Sequence, residues 1–130
     1  MQWKEQGGFT LLEVMIAISL LAIGLLSALT VETACIRGNS MAARMDDATG
    51  LAQITLERLL SVDDPKTLKN DFRPSLDAAG NDGGPYARTT VITPHADVAG
   101  ARWIQVTVSW TGGFGTQQVN LQGLATGGRP

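Results

Sequence analysis

Hydrophobic positions fall into three successive patterns, and each change of pattern marks an element. From Phe9 to Val31 nearly every residue is apolar. Thr10, Ser19, Gly24, Ser27 and Thr30 are small interruptions, and Glu13 is the only charge. A helix rises about 1.5 Å per residue, so this run matches a hydrocarbon core of roughly 30 Å. No proline interrupts it. Its Ser and Thr hydroxyls can bond to carbonyls one turn back, so the backbone is satisfied within the helix, as lipid demands.

After Val31 the pattern becomes amphipathic. Val31, Ala34, Cys35, Met41, Ala42, Met45, Ala48, Ala52, Leu56, Leu59 and Leu60 recur mostly at spacings of three and four, as one helical face requires. Arg37, Arg44, Asp47, Glu57 and Arg58 occupy other faces. Gly38 and Gly50 weaken the helix by up to about 1 kcal/mol each relative to Ala. Pro65, after Asp63 and Asp64, ends it. The prediction is one helix from Phe9 to about Leu60, embedded in lipid first and then packed on a small head.

Residues 63–85 are rich in Asp, Asn, Gly and Pro and read as loop. Period-two patterns follow. Ala87 to Thr93 is β-branched, and Arg102 to Thr111 puts Ile104, Val106, Val108 and Trp110 on one face and Trp103, Gln105, Thr107 and Ser109 on the other. Gln117 to Leu124 places Val119 and Leu121 together, and Gly112-Gly113-Phe114-Gly115 reads as a hairpin turn. The fold class is α+β, a long helix on a three- or four-stranded antiparallel sheet.

Charge narrows the function classes. The formal net charge is -2, which gives no basic excess to displace the counterions of a nucleic acid. Nucleic acid is not an expected partner. Cys35 is the sole cysteine, so no internal disulfide forms. Lipidation there is disfavoured because Glu32 stands where a lipoprotein signal resembles a Leu-initiated box. A small thiol on a helix is the simpler reading.

Candidate chemistry is sparse. His95 is the sole histidine, beside Pro94, and reads as a turn residue. Asp77, Asn81 and Asp82 offer oxygens to Ca²⁺, but their spacing does not fit an Asp-x-Asp-x-Asp-Gly loop. The Gly-rich segments lack the Lys-Ser/Thr ending of a phosphate loop. No catalytic residue, metal or cofactor is expected, and an enzyme is the least favoured class. Trp103 and Trp110 differ in parity, so one faces the core and the other solvent or a partner.

Glu13 is the informative residue. A carboxylate inside an apolar span costs about 2.5–3.5 kcal/mol if central and less near the interface. A cleaved secretory signal has a shorter apolar stretch, ends in a small-x-small site and does not place a charge there. A cut between Gly8 and Phe9 would free an α-ammonium at Phe9, charged at neutral pH. Glu13 would then pair with that terminus on its own or a neighbouring chain, and such pairs set register better than they add stability.

Gly7-Gly8-Phe9-Thr10-Leu11-Leu12-Glu13-Val14 resembles the class III signal of type IV prepilins and type II secretion pseudopilins. The resemblance is strong over about Gly7 to Ser27 and architectural beyond. It implies cleavage between Gly8 and Phe9 by a prepilin peptidase, N-methylation of Phe9, and assembly through Glu13. It also implies a head in the periplasm on a single-pass anchor in the bacterial inner membrane. Ala17, Gly24 and Ala28 are candidate positions for close helix packing.

On that reading, residues 1–8 are a cytoplasmic leader and 9–31 a transmembrane and assembly helix. Residues 32–62 are its amphipathic half and 63–130 a loop with a small β head. The partners would be membrane lipid, other pilin or pseudopilin subunits and the inner-membrane assembly platform. The chain is short, lacks a C-terminal cysteine pair and has Thr30 where many major pilins resemble one another in a Pro. These departures favour a minor pilin of a type IV pilus. Ile23 to Leu26 and Val108 to Thr111 look like PilV-type minor pilins. A type II secretion pseudopilin and a DNA-uptake pilin are the alternatives.

Overall fold

The computed structural model describes residues 7–127. Most of the expected leader, Met1 to Gln6, lies outside the described residues. The chain divides into two compact units, Met1–Ser40 and Met41–Pro130. One helix, α1 (Leu11–Leu60), contributes to both. It starts at Leu11 and not at the expected Phe9, because Thr10 takes the capping position described below.

In the first unit every residue from 7 to 40 is exposed, including Leu11, Leu20, Ile23 and Leu26. Two of the hydroxyls bond one turn back as expected, Ser19 to the Met15 carbonyl at 2.8 Å and Ser27 to Ile23 at 2.8 Å, and Thr33, just past the apolar run, does the same to Leu29 at 2.8 Å. Thr30 reaches the nearer Ser27 carbonyl at 2.7 Å. The helix is long and apolar enough near the N-terminus to cross a membrane.

In the second unit the end of α1 lies on an antiparallel sheet. The buried stripe is Ala48, Leu51, Ala52 and Thr55, with Leu56 and Leu59 half-buried beside it. Spacings of three and four keep these on one face, and alanines let the backbone approach closely. The buried stripe begins at Ala48. Val31, Ala34, Cys35, Met41, Ala42, Met45 and Leu60, expected on the packed face, are exposed.

The sheet is a meander of β1 (Asp71–Leu76), β2 (Tyr86–Pro94), β3 (Arg102–Gly112) and β4 (Gly115–Ala125), in that order. β3 is central and keeps the expected alternation. Ile104, Val106 and Val108 are fully buried and Trp110 nearly so, while Trp103 keeps 43% of its surface exposed. Burying side chains of this size stabilises by roughly 1.5–3 kcal/mol each. Val119 and Leu121 of β4 lie opposite Val108 and Val106 and pack on the same core.

The strand β1 corrects the sequence reading, which took 63–85 as loop. Asp71 and Pro74 have poor strand propensity, but at a sheet edge the missing proline N–H costs no ladder bond. The register with β2 shifts between Arg73 and Leu76.

Two glycines of β4 are required, one by packing and one by backbone conformation. At Gly123 an added Cβ would lie 3.2 Å from Leu56 Cδ1 and from both Leu60 methyls, so β4 carries hydrogen where the end of α1 rests. Gly115 closes the hairpin after Gly113-Phe114 at φ 100°, a conformation that side chains rarely adopt.

Candidate functional site

The start of α1 is built by two side chains at a spacing the sequence displays openly. Thr10 and Glu13 form a reciprocal cap: the Thr10 N–H donates to Glu13 Oε2 at 3.0 Å, and the Glu13 N–H donates to Thr10 Oγ1 at 3.2 Å. The first helical bond, from the Val14 N–H to the Thr10 carbonyl, is 3.2 Å. A Thr-x-x-Glu box satisfies two amides that the helix leaves without partners. Such caps contribute about 0.5–2 kcal/mol, and the positive end of the helix dipole also favours the carboxylate.

Ahead of the cap, Gly7 and Gly8 have open space where a Cβ would stand, and Phe9 is 88% exposed. The peptide between Gly8 and Phe9 therefore lies on accessible chain outside regular structure, immediately before the helix. Glu13 and Ala17 share a shallow hollow with Phe9, Val14, Ile18 and Leu21. At 3.6 residues per turn, Ala17, Gly24 and Ala28 fall along one stripe close to Glu13. A Cβ added at Gly24 meets nothing within 4 Å.

The remaining candidates take structural positions. Cys35 is free and exposed on α1. His95 builds a turn, its Nδ1 accepting the N–H groups of Asp97 at 3.1 Å and Val98 at 3.2 Å, and its ring lies 5.7 Å from Trp103. Asp77 Oδ1 accepts the N–H groups of Asn81 at 2.8 Å and Ala79 at 2.9 Å. The Asn81 amide foremost, partly offset by desolvation, holds this carboxyl below the usual carboxylate range. Asp82 lies 3.8 Å from Arg73. The oxygens considered for Ca²⁺ thus serve the loop between β1 and β2, and among the described residues no cluster of three acidic, His or Cys side chains is placed to hold a metal.

Two polar contacts tie the end of α1 to the sheet and escaped the sequence reading. Tyr86 donates its hydroxyl to Asp47 Oδ2 at 3.2 Å, and its ring meets Trp110 edge-on at 6.1 Å. Burial first, and then the Asp47 carboxylate, push the phenol above its ordinary value. Arg88 reaches Thr55 Oγ1 on α1 at 3.2 Å and Asp71 on β1 at 3.2 Å. Neither pair is periodic, so nothing in spacing announces it. The Thr10–Glu13 cap is different: its Thr-x-x-Glu signature stands in the sequence.

A family model for the prokaryotic N-terminal methylation motif matches residues 3–29. The match spans the Gly8–Phe9 peptide, the cap, and Ala17, Gly24 and Ala28. It stops short of the head. Comparison with curated proteins and with solved structures finds no match.

Proposed function

We propose that this chain is a minor pilin, a structural subunit that is cut between Gly8 and Phe9, methylated on Phe9 and then built into a type IV pilus. The observation that carries the reading is the coincidence of the methylation motif with a helical stretch, from Leu11 to Ser40, whose apolar residues are all exposed. Such a surface is costly in water and calls for lipid before assembly and neighbouring helices afterwards. On this reading the leader faces the cytoplasm and the head the periplasm.

The cut would create a positive terminus one residue before the Thr10 amide that Glu13 already accepts. Within a bundle, that carboxylate can exchange its capping bond for the Phe9 ammonium of a neighbour, which would fix axial stagger. The Ala17, Gly24 and Ala28 stripe would let helices approach closely.

The mass of the mature N-terminus tests the processing step. A chain beginning at methylated Phe9 is expected, and an intact Met1 would overturn the reading. Two variants then separate capping from ion pairing. Glu13→Gln keeps an oxygen for the Thr10 amide but removes the charge, whereas Glu13→Ala removes both. Both are expected to insert in the membrane and fail to enter filaments. Normal incorporation of Glu13→Gln would reduce the residue to a helix cap. Deletion of the chain is expected to abolish surface pili; loss of protein export instead would assign it to a type II secretion machine.

A further inference from the structure

His95 closes the connection between β2 and β3 from within. Its Nδ1 accepts the N–H groups of both Asp97 and Val98, at 3.1 and 3.2 Å. Its own backbone N–H donates to the Ala101 carbonyl at 3.0 Å, and the Ala101 N–H donates to the Val98 carbonyl at 3.2 Å. Ala96, Asp97, Val98 and Ala99 are all exposed, so these bonds, and not burial, give the loop its shape. A ring nitrogen that accepts amide protons carries none itself. The closed loop therefore requires the neutral imidazole with its proton on Nε2.

We propose that His95 is an acid-operated latch: a proton taken from solvent at Nδ1 breaks both side-chain bonds and opens residues 95–101. An imidazolium donates from both nitrogens, so it would set an N–H against the two amides it now receives. Imidazole is also the side chain that ordinarily changes charge between pH 5 and 8. The charged groups bordering the loop do not hold a charged ring in place. Asp97 is on the loop itself. Lys66, in the 3₁₀ turn Pro65–Thr67, has its Cε 3.5 Å from where a Cβ on Gly100 would stand. Arg102 Nη1 reaches the Ala101 carbonyl at 3.3 Å, and β4, which pairs with β3 beside Trp103, bears no charge. One anion is set against two cations. Opening also frees the Trp103 ring, which lies 5.7 Å from the imidazole and tilted 33° to it. The β2–β3 ladder runs out to Pro94↔Arg102 without using the imidazole, so the response is confined to one end of the sheet.

Nuclear magnetic resonance of the full chain in detergent micelles tests the latch. At pH 7.5 the ring nitrogen shifts are expected to show a bare Nδ1 and a protonated Nε2. Between pH 7.5 and 5.0, protection of the Asp97 and Val98 amides from solvent exchange, corrected for the intrinsic effect of pH, is expected to fall at least fivefold. Val106 in β3 stays protected throughout. Asn side chains bond amides two residues on, so His95→Asn supplies an acceptor that does not titrate and should keep the loop protected at both pH values. His95→Ala should lose that protection at both. A proton on Nδ1 at pH 7.5 overturns the proposal, as does protection that acid leaves unchanged or that His95→Ala retains. So does an equal acid loss in His95→Asn, which would assign the effect to Asp97, or a parallel loss at Val106, which would make the event global unfolding.

Discussion

The two units spend their apolar residues differently. In the second, Leu51, Leu76, Ile104, Val106 and Val108 are each at most 2% exposed, so their hydrophobic gain is realised inside one chain. In the first, Leu12, Leu20 and Leu26 each keep at least 65% of their surface exposed, and no residue from 7 to 40 is covered. Hydrophobicity alone therefore does not define a core. What separates the regions is pattern: alternation and a narrow helical stripe imply a partner within the chain, whereas apolar residues all round a helix imply one outside it.

The largest expected effect breaks one region and spares the other. Ile104→Ala should cost the head about 2–5 kcal/mol by leaving a cavity. Leu20→Ala should shift head unfolding by less than about 0.5 kcal/mol, as an exposed substitution does. Urea unfolding of the full chain in micelles, followed by tryptophan fluorescence, measures both. A comparable loss from Leu20→Ala would show that the units are not energetically separate.

A smaller effect tests how the end of α1 rests on β4. Gly123→Val puts bulk against Leu56 and Leu60 and should cost about 1–3 kcal/mol in the same assay. Gly113→Ala, with nothing within 4 Å of its added Cβ, is the comparison and should be close to neutral.

The smallest is a pH dependence confined to the head. The folded state raises the Tyr86 phenol, so it holds the proton more tightly than the unfolded chain. That contribution is complete below the unfolded value near 10 and is lost as pH rises through the folded one. Tyr86→Phe should lose about 0.5–1.5 kcal/mol at neutral pH with the hydrogen bond to Asp47. It should also abolish the decline that the wild-type head shows in alkaline thermal melts.

Periodicity explains what could be read in advance. The helix, the three main strands and the parity of Trp103 and Trp110 follow from repeats of 3.6 and 2.0 residues, which the chain keeps without conflict. β1 could not be read so, because a bulged edge strand containing Pro74 looks like loop until β2 stands beside it. The buried helix face was only partly legible. Ala48 and Ala52 were placed on it, but Leu51 and Thr55 were not, and Thr55 is polar yet satisfied by the Leu51 carbonyl at 2.8 Å. At the candidate site, Glu13 stands out as a charge in an apolar run, and the Thr-x-x-Glu spacing already marks its bond to the Thr10 amide.

The strand order has a kinetic consequence. Each strand of the β1-β2-β3-β4 meander pairs with its neighbours in the chain, across connections at 77–85, 95–101 and 113–114. Closing short loops costs little entropy, and domains rich in local contacts fold quickly. The docking of α1 on the sheet joins residues farther apart, as in the Tyr86–Asp47 and Arg88–Thr55 bonds. The sheet can therefore form from the last strand backwards or the first forwards without waiting for the helix.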